Sequence, residues 1–214
     1  AKLVGGVARK ILTPKTVMSN AQLSVMDLLT KGKFEEAETK LRARMDEPEY
    51  EDRVKDEDQA QDIYLLARIA RRSGKKERRG EARKTYKRAL DIIPNHEAAL
   101  FDSAMVALET GDYKNAQIFL RTLNANNNEH AGALYALSRL AMRQGKLVQA
   151  AKYLKQALSR ANKVKDNNRQ FEIYAALAEL SEKKKEGSKR EQWLKSAFTI
   201  RAGDEGIARS YAGI

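Results

Sequence analysis

Chemistry would have to begin at the two histidines, His96 and His130, which stand 34 residues apart. An imidazole serves as a general base or metal ligand only with convergent partners around it. Here each His falls at the same place relative to an apolar segment, so both are expected to be boundary residues beside helix starts. The chain has no Cys, which removes thiolate nucleophiles, disulfides and cysteine metal sites. No GxxxxGK[ST], HExxH, GxSxG or EF-hand pattern occurs. The carboxylates sit at helical spacings from Lys and Arg, as solvated surface pairs do. Catalytic residues, metal sites and cofactors are therefore not expected, and recognition is the chemistry left.

Charge offers one candidate surface. The chain carries 41 Lys and Arg against 29 Asp and Glu, a net charge of +12, which favours acidic partners. Arg71, Arg72, Lys75, Lys76, Arg78, Arg79, Arg83, Lys84, Lys87 and Arg88 crowd around the turn SGKKERRG. This basic patch reads either as a solvated turn paired with the acidic stretch just before it, or as a surface for nucleic acid or another polyanion. The first reading is favoured, because no aromatic residues alternate with the cations as single-strand readers require.

The elements that position these residues are helices. Of 214 residues only three are Pro and twelve Gly, and Ala, Leu, Lys, Glu, Arg and Gln dominate. No apolar run approaches the roughly 18 residues that span a bilayer. The helices recur. GKFEEA at 32–37, GDYKNA at 111–116 and GKLVQA at 145–150 share Gly first and Ala sixth. Gly111 and Gly145, Ala116 and Ala150, Leu100 and Leu134, and Leu120 and Leu154 are each 34 residues apart. Amphipathic segments flank each turn, so the unit is helix–turn–helix. One such pair cannot bury both its faces, and pairs must stack.

This period and pattern resemble the tetratricopeptide repeat family, which has small residues at repeat positions 8, 20 and 27, Gly near 15 and Pro at 32. Repeat 97–130 supplies Ala104, Gly111 and Ala116, and repeat 131–164 supplies Ser138, Gly145, Ala150 and Ala157. The repeat ending at Pro94 supplies Ala67, Gly74, Ala82 and Ala89, with about three extra residues in its turn. The first repeat has Ala37, with Arg44 out of pattern at position 27. The last has Ala178 and Ala197, with Arg190 in place of a small residue, which leaves its helix pairing open.

The resemblance implies an all-α, right-handed helix–turn–helix solenoid of about five repeats with a C-terminal capping helix. The expected organisation is an N-terminal arm or capping helix at 1–17 and a repeat array at 18–204 (about 18–51, 60–96, 97–130, 131–164 and 171–204). Residues 205–214 would be a terminal cap or a truncated next repeat. The period breaks at 46–62, where nine acidic residues meet two basic ones, and at 162–170. Lengthened helices are expected at both places, since neither stretch contains Gly.

The resemblance also implies a function: a non-enzymatic scaffold whose first helices line a concave groove for a peptide or protein segment. Residues at positions 5, 9, 12 and 13 usually point into it. Carried onto this chain they give Tyr64, Arg68, Arg71, Arg72, Phe101, Met105, Tyr135, Arg139, Met142 and Arg143. Aromatic, Met and Arg side chains are enriched at interface cores, and Arg grips carboxylates bidentately. The expected partner is acidic with apolar anchors. Nucleic acid through the basic patch and self-association into an assembly are the alternatives. The arm KLVGGVARKILTPK combines apolar and basic residues. It could dock on the first repeat, enter a neighbour's groove or touch an anionic membrane.

Overall fold

The computed structural model describes residues 18–74 and 78–202. The N-terminal arm, the patch residues Lys75 and Lys76, and the expected terminal cap lie outside them. Among the described residues every regular element is a helix. In order they are α1 (Asn20–Thr30), α2 (Phe34–Met45), α3 (Tyr50–Arg53), α4 (Asp56–Arg72), α5 (Arg78–Ile92), α6 (Glu97–Glu109), α7 (Tyr113–Asn126), α8 (Ala131–Arg143), α9 (Leu147–Lys163), α10 (Asn167–Lys183) and α11 (Gly187–Ala202). None is long and apolar enough to cross a membrane. The chain separates into two compact units between Ser103 and Ala104. Unit 1 contains α1–α5 and the start of α6; unit 2 contains the rest of α6 and α7–α11.

Within each unit the small residues of the pattern set the packing. In unit 1, α1 packs on α2 and α4 on α5, with Ala37, Ala67, Ala82 and Ala89 fully buried. In unit 2, α8 packs on α9 and α10 on α11, with Ser138 of α8 and Ala150 and Ala157 of α9 fully buried. A methyl or hydroxymethyl at these points lets two helix backbones approach closely. The larger residues beside them, Leu41 and Tyr86 in unit 1 and Leu120 and Leu154 in unit 2, have no solvent exposure. Their burial removes apolar area worth about 1.5–3 kcal/mol per side chain. Leu194 holds the same repeat position in α11 yet is 42% exposed. No helix follows α11 among the described residues.

Both breaks in the period lengthen helices, and the first does more. α4, α9 and α10 each run to 17 residues. The acidic insertion also folds into the separate turn α3, entered through Glu49 at φ 61°. Arg190 does not prevent α11 from packing along α10. Aromatic contacts bridge that pair instead: Tyr174 stacks on Trp193 with ring centroids 6.0 Å apart, and the Arg201 guanidinium lies 4.7 Å from the Phe171 ring centre.

Candidate partner-binding surface

Two carboxylates anchor unit 1, and both hold groups that the repeat pattern alone would aim at a partner. Asp62 of α4 is fully buried. It accepts hydrogen bonds from Gln22 Nε2 of α1 at 2.8 Å, Arg44 Nε of α2 at 2.8 Å and the Tyr50 hydroxyl of α3 at 2.5 Å. One acid thus ties four helices. Burial, followed by the bond to Asp62, pushes the Tyr50 hydroxyl above its ordinary range. Burial works against the Arg44 charge, yet the bond to Asp62 lifts its pKa above the usual value. Arg44, out of pattern in the sequence, is the counter-ion of a buried acid.

Gln22 joins this anchor to the start of the array. Its side-chain oxygen accepts from Ser19 N–H and its backbone N–H donates to Ser19 Oγ, closing a capping box. Its amide nitrogen also donates to the Asp58 carbonyl.

Asp102 of α6 is the second anchor. It accepts from the Tyr64 hydroxyl at 3.1 Å, Arg71 Nη1 at 3.0 Å and, at 3.4 Å, the Tyr86 hydroxyl. The Tyr64 ring is only 6% exposed, against Tyr86 and His96 with centroids 5.9 and 5.1 Å away. Burial, then the nearby Asp102 charge, raises the hydroxyl pKa of both tyrosines. The expectation that Tyr64 faces a partner is corrected: it is a core residue with a satisfied hydroxyl. Arg71 is likewise committed to Asp102.

His96 completes this core. Its Nδ1 accepts from Ala99 N–H at 3.2 Å and its Nε2 lies 3.0 Å from Gln61 Oε1. With Nδ1 accepting, Nε2 carries the hydrogen and the ring is neutral. Burial lowers its pKa, favouring that neutral form. In unit 2, His130 Nδ1 accepts from Ala133 N–H at 3.0 Å. Both histidines cap a helix start.

The repeat register holds where it can be measured within a unit. At position 9, Arg68 Nη1 reaches Met26 Sδ at 3.3 Å in unit 1, and Arg139 forms an ion pair with Glu179 in unit 2. Side chains of that row are therefore neighbours from one repeat to the next. Position 5 is mixed. Phe101 in unit 1 and Tyr135 in unit 2 are half-buried, whereas Gln22 and Tyr64 are buried. The Tyr135 ring lies under Arg169, 5.5 Å from its guanidinium carbon. Met105 is half-buried and Arg72 exposed. Met142 is 6% exposed, inside the α8–α9–α10 core, so its assignment to a partner surface is also corrected. Arg143 is exposed and lies over the Tyr113 ring at 5.7 Å.

The basic patch is partly neutralised by its own unit. Arg78 Nη2 donates to Glu38 at 2.7 Å and its Nε to Glu81 at 3.1 Å. Those bonds, led by Glu81, raise the Arg78 pKa. Glu38 and Glu81, the partners of Arg78, lie outside the acidic stretch 46–62. Arg79, Arg83 and Lys84 are exposed on α5.

Nothing in the sequence singled out Asp102 or Trp193, and Asp62 entered only as one of the acids of 46–62. For Asp62 a signal existed: it is the one acid in the run AQDIYLLARIA, and Arg44 breaks the small-residue pattern of the preceding repeat.

Paired antiparallel helices, small-residue contacts and a 34-residue register define a helical repeat protein. Residues 75–140 and 131–164 match tetratricopeptide repeat family profiles, so the segment 75–164 consists of tetratricopeptide repeats. Such a chain is a protein-interaction scaffold, of a family that is generally non-catalytic.

Solved structures share the fold. MamA from Desulfovibrio magneticus RS-1, from residue 41 to its end, aligns with TM-score 0.65 at 16% identity. That alignment covers 88% of this chain and 99% of that one. BtubC from P. vanneervenii aligns with TM-score 0.71 at 17% identity, over 86% of this chain and 79% of that one. A further MamA structure gives TM-score 0.66 at 15% identity, over 87% and 97%. A search of curated protein sequences gave no match.

Proposed function

We propose that the protein holds an acidic, apolar-anchored segment of a partner protein on unit 2, at the position-5 and position-9 residues Tyr135 and Arg139 of α8. Arg139 carries this reading. Its side chain is 40% exposed and pairs with a carboxylate from the next repeat, Glu179, that is equally exposed. A partner carboxylate can take the place of Glu179 with little loss, because a half-solvated pair contributes only about 0–1 kcal/mol. Tyr135 stands one helical turn away on α8, with Arg143 one turn beyond Arg139.

The test is a photo-reactive amino acid at position 135 of the intact chain, with position 155 on α9 as control. The expected result is a partner adduct from position 135 only, lost when Arg139→Glu is added. Adducts from position 155 alone, or adducts that persist in Arg139→Glu, would overturn the reading. The basic patch supports a weaker case for polyanions, since Arg78 is already held between Glu38 and Glu81.

A further inference from the structure

The acidic insertion does more than lengthen α4. Together with the ends of α2 and α5 it walls a cleft of about 460 Å³ in unit 1. Its apolar floor is Met45, Ile63, Leu66 and Ile92, and its rim carries Asp46, Glu51 and Asp91. These three carboxylates are exposed, and none has an ion-pair partner among the described residues. Two guanidiniums also line the cleft. Arg42 is turned to Glu38 and Glu81, so Arg88 alone faces three acids. The site therefore suits an occupant that is apolar and basic.

On α4 the cleft residues Gln59, Ile63 and Leu66 lie roughly 140° around the helix from Tyr64, Arg68 and Arg71, at 100° per residue. The cleft is thus a surface separate from the position-9 row.

The chain carries a segment of that chemistry a short distance away. Residues 2–12, KLVGGVARKIL, hold Leu3, Val4, Val7, Ile11 and Leu12 with Lys2, Arg9 and Lys10. The described residues resume at Met18, and α1 is fastened beside the cleft. Gln22 Nε2 donates to the Asp58 carbonyl at 3.3 Å, and the next residue, Gln59, lines the cleft. Met18, the root of the arm, stands four residues before Gln22. The intervening residues 13–17 can extend about 17 Å. Tethering at this range gives an effective concentration on the order of millimolar, so a weak contact suffices.

We propose that residues 2–12 occupy this cleft of their own chain, apolar side chains on the Met45–Ile63–Leu66–Ile92 floor and basic ones against Asp46, Glu51 and Asp91. The absence of Cys makes the test direct. A nitroxide is placed on Ala8→Cys of the full chain, and methyl resonances are followed in Met- and Ile-labelled protein. The expected result is loss of the Met45, Ile63 and Ile92 methyl signals, with Ile118 of unit 2 as an unaffected control. The signals should return in the triple variant Asp46→Lys, Glu51→Lys, Asp91→Lys, whose sites are exposed and whose helix content is checked by circular dichroism. Broadening that survives the triple variant, or that falls elsewhere, overturns the proposal. So does broadening seen only when spin-labelled chain is mixed with a separate methyl-labelled copy, which would make the occupant a second molecule.

Discussion

Asp62 shows how a single charged residue can reorganise the end of a repeat array. At position 27 the other described repeats place Ala89, Leu123, Ala157 and Ala197, all buried. Arg44 holds that position in the first repeat, and its guanidinium is stable there because Asp62 stands across from it with Tyr50 and Gln22 as further donors. Removing the acid leaves three donors without their acceptor, one of them charged. Asp62→Ala should therefore lower the free energy of unfolding by about 3 kcal/mol, measured by urea denaturation. Arg44→Ala restores the small residue of the pattern but strips the acid of its counter-ion. The double variant should lose at least about 1 kcal/mol less than the two single losses together, since both remove parts of one network. Strict additivity would show that the two residues are not coupled.

The turn between paired helices is the element that makes the period visible, and its bonds explain the glycine. At Gly145 the N–H donates to the Met142 carbonyl and the N–H of Lys146 to the Ala141 carbonyl. This is a Schellman motif, and it needs a left-handed residue. Gly32, Gly111 and Gly145 supply it at φ 72°, 78° and 71°, and Lys185 fills the same role after α10 at φ 60°. A Cβ at Gly145 would meet nothing within 4 Å, so only the backbone conformation resists substitution. Gly145→Ala should cost about 1 kcal/mol, and Lys185→Gly should stabilise by several tenths to about 1 kcal/mol. Paired thermal melts decide it; a destabilised Lys185→Gly would mean that the Lys side chain contributes more than its backbone loses.

At the scale of the whole molecule the chain is two compact units, each held by nearest-neighbour helix contacts. In such proteins a lesion spreads only as far as adjacent repeats. The Asp62→Ala lesion should therefore raise amide exchange in α1, α2 and α4 while α9, α10 and α11 keep their protection. Hydrogen–deuterium exchange of intact protein reads this directly. A uniform rise through α11 would mean that the units unfold together. The proposed partner site belongs to unit 2 and the proposed arm cleft to unit 1, so a lesion that empties one need not disturb the other.

What the sequence determined by itself was the architecture. The 34-residue spacing of Gly111 and Gly145, and the small residues around them, require paired helices, because only small side chains permit close approach and only a left-handed residue ends the first helix cheaply. The helix-cap positions of His96 and His130 followed from the same spacing. Tertiary structure decided which side chains remain available. Tyr64 and Met142 match the inward-facing positions of the repeat, yet the first turns to Asp102 and the second to the α9 and α10 core. A repeat position specifies a direction along one helix; whether that direction leads to solvent, to a carboxylate or to a neighbouring helix depends on residues of other repeats, such as Asp102, 38 positions from Tyr64. Asp62 and Arg44 carry the same lesson, since each alone is a violation of pattern and only their contact across 18 residues makes them a fit.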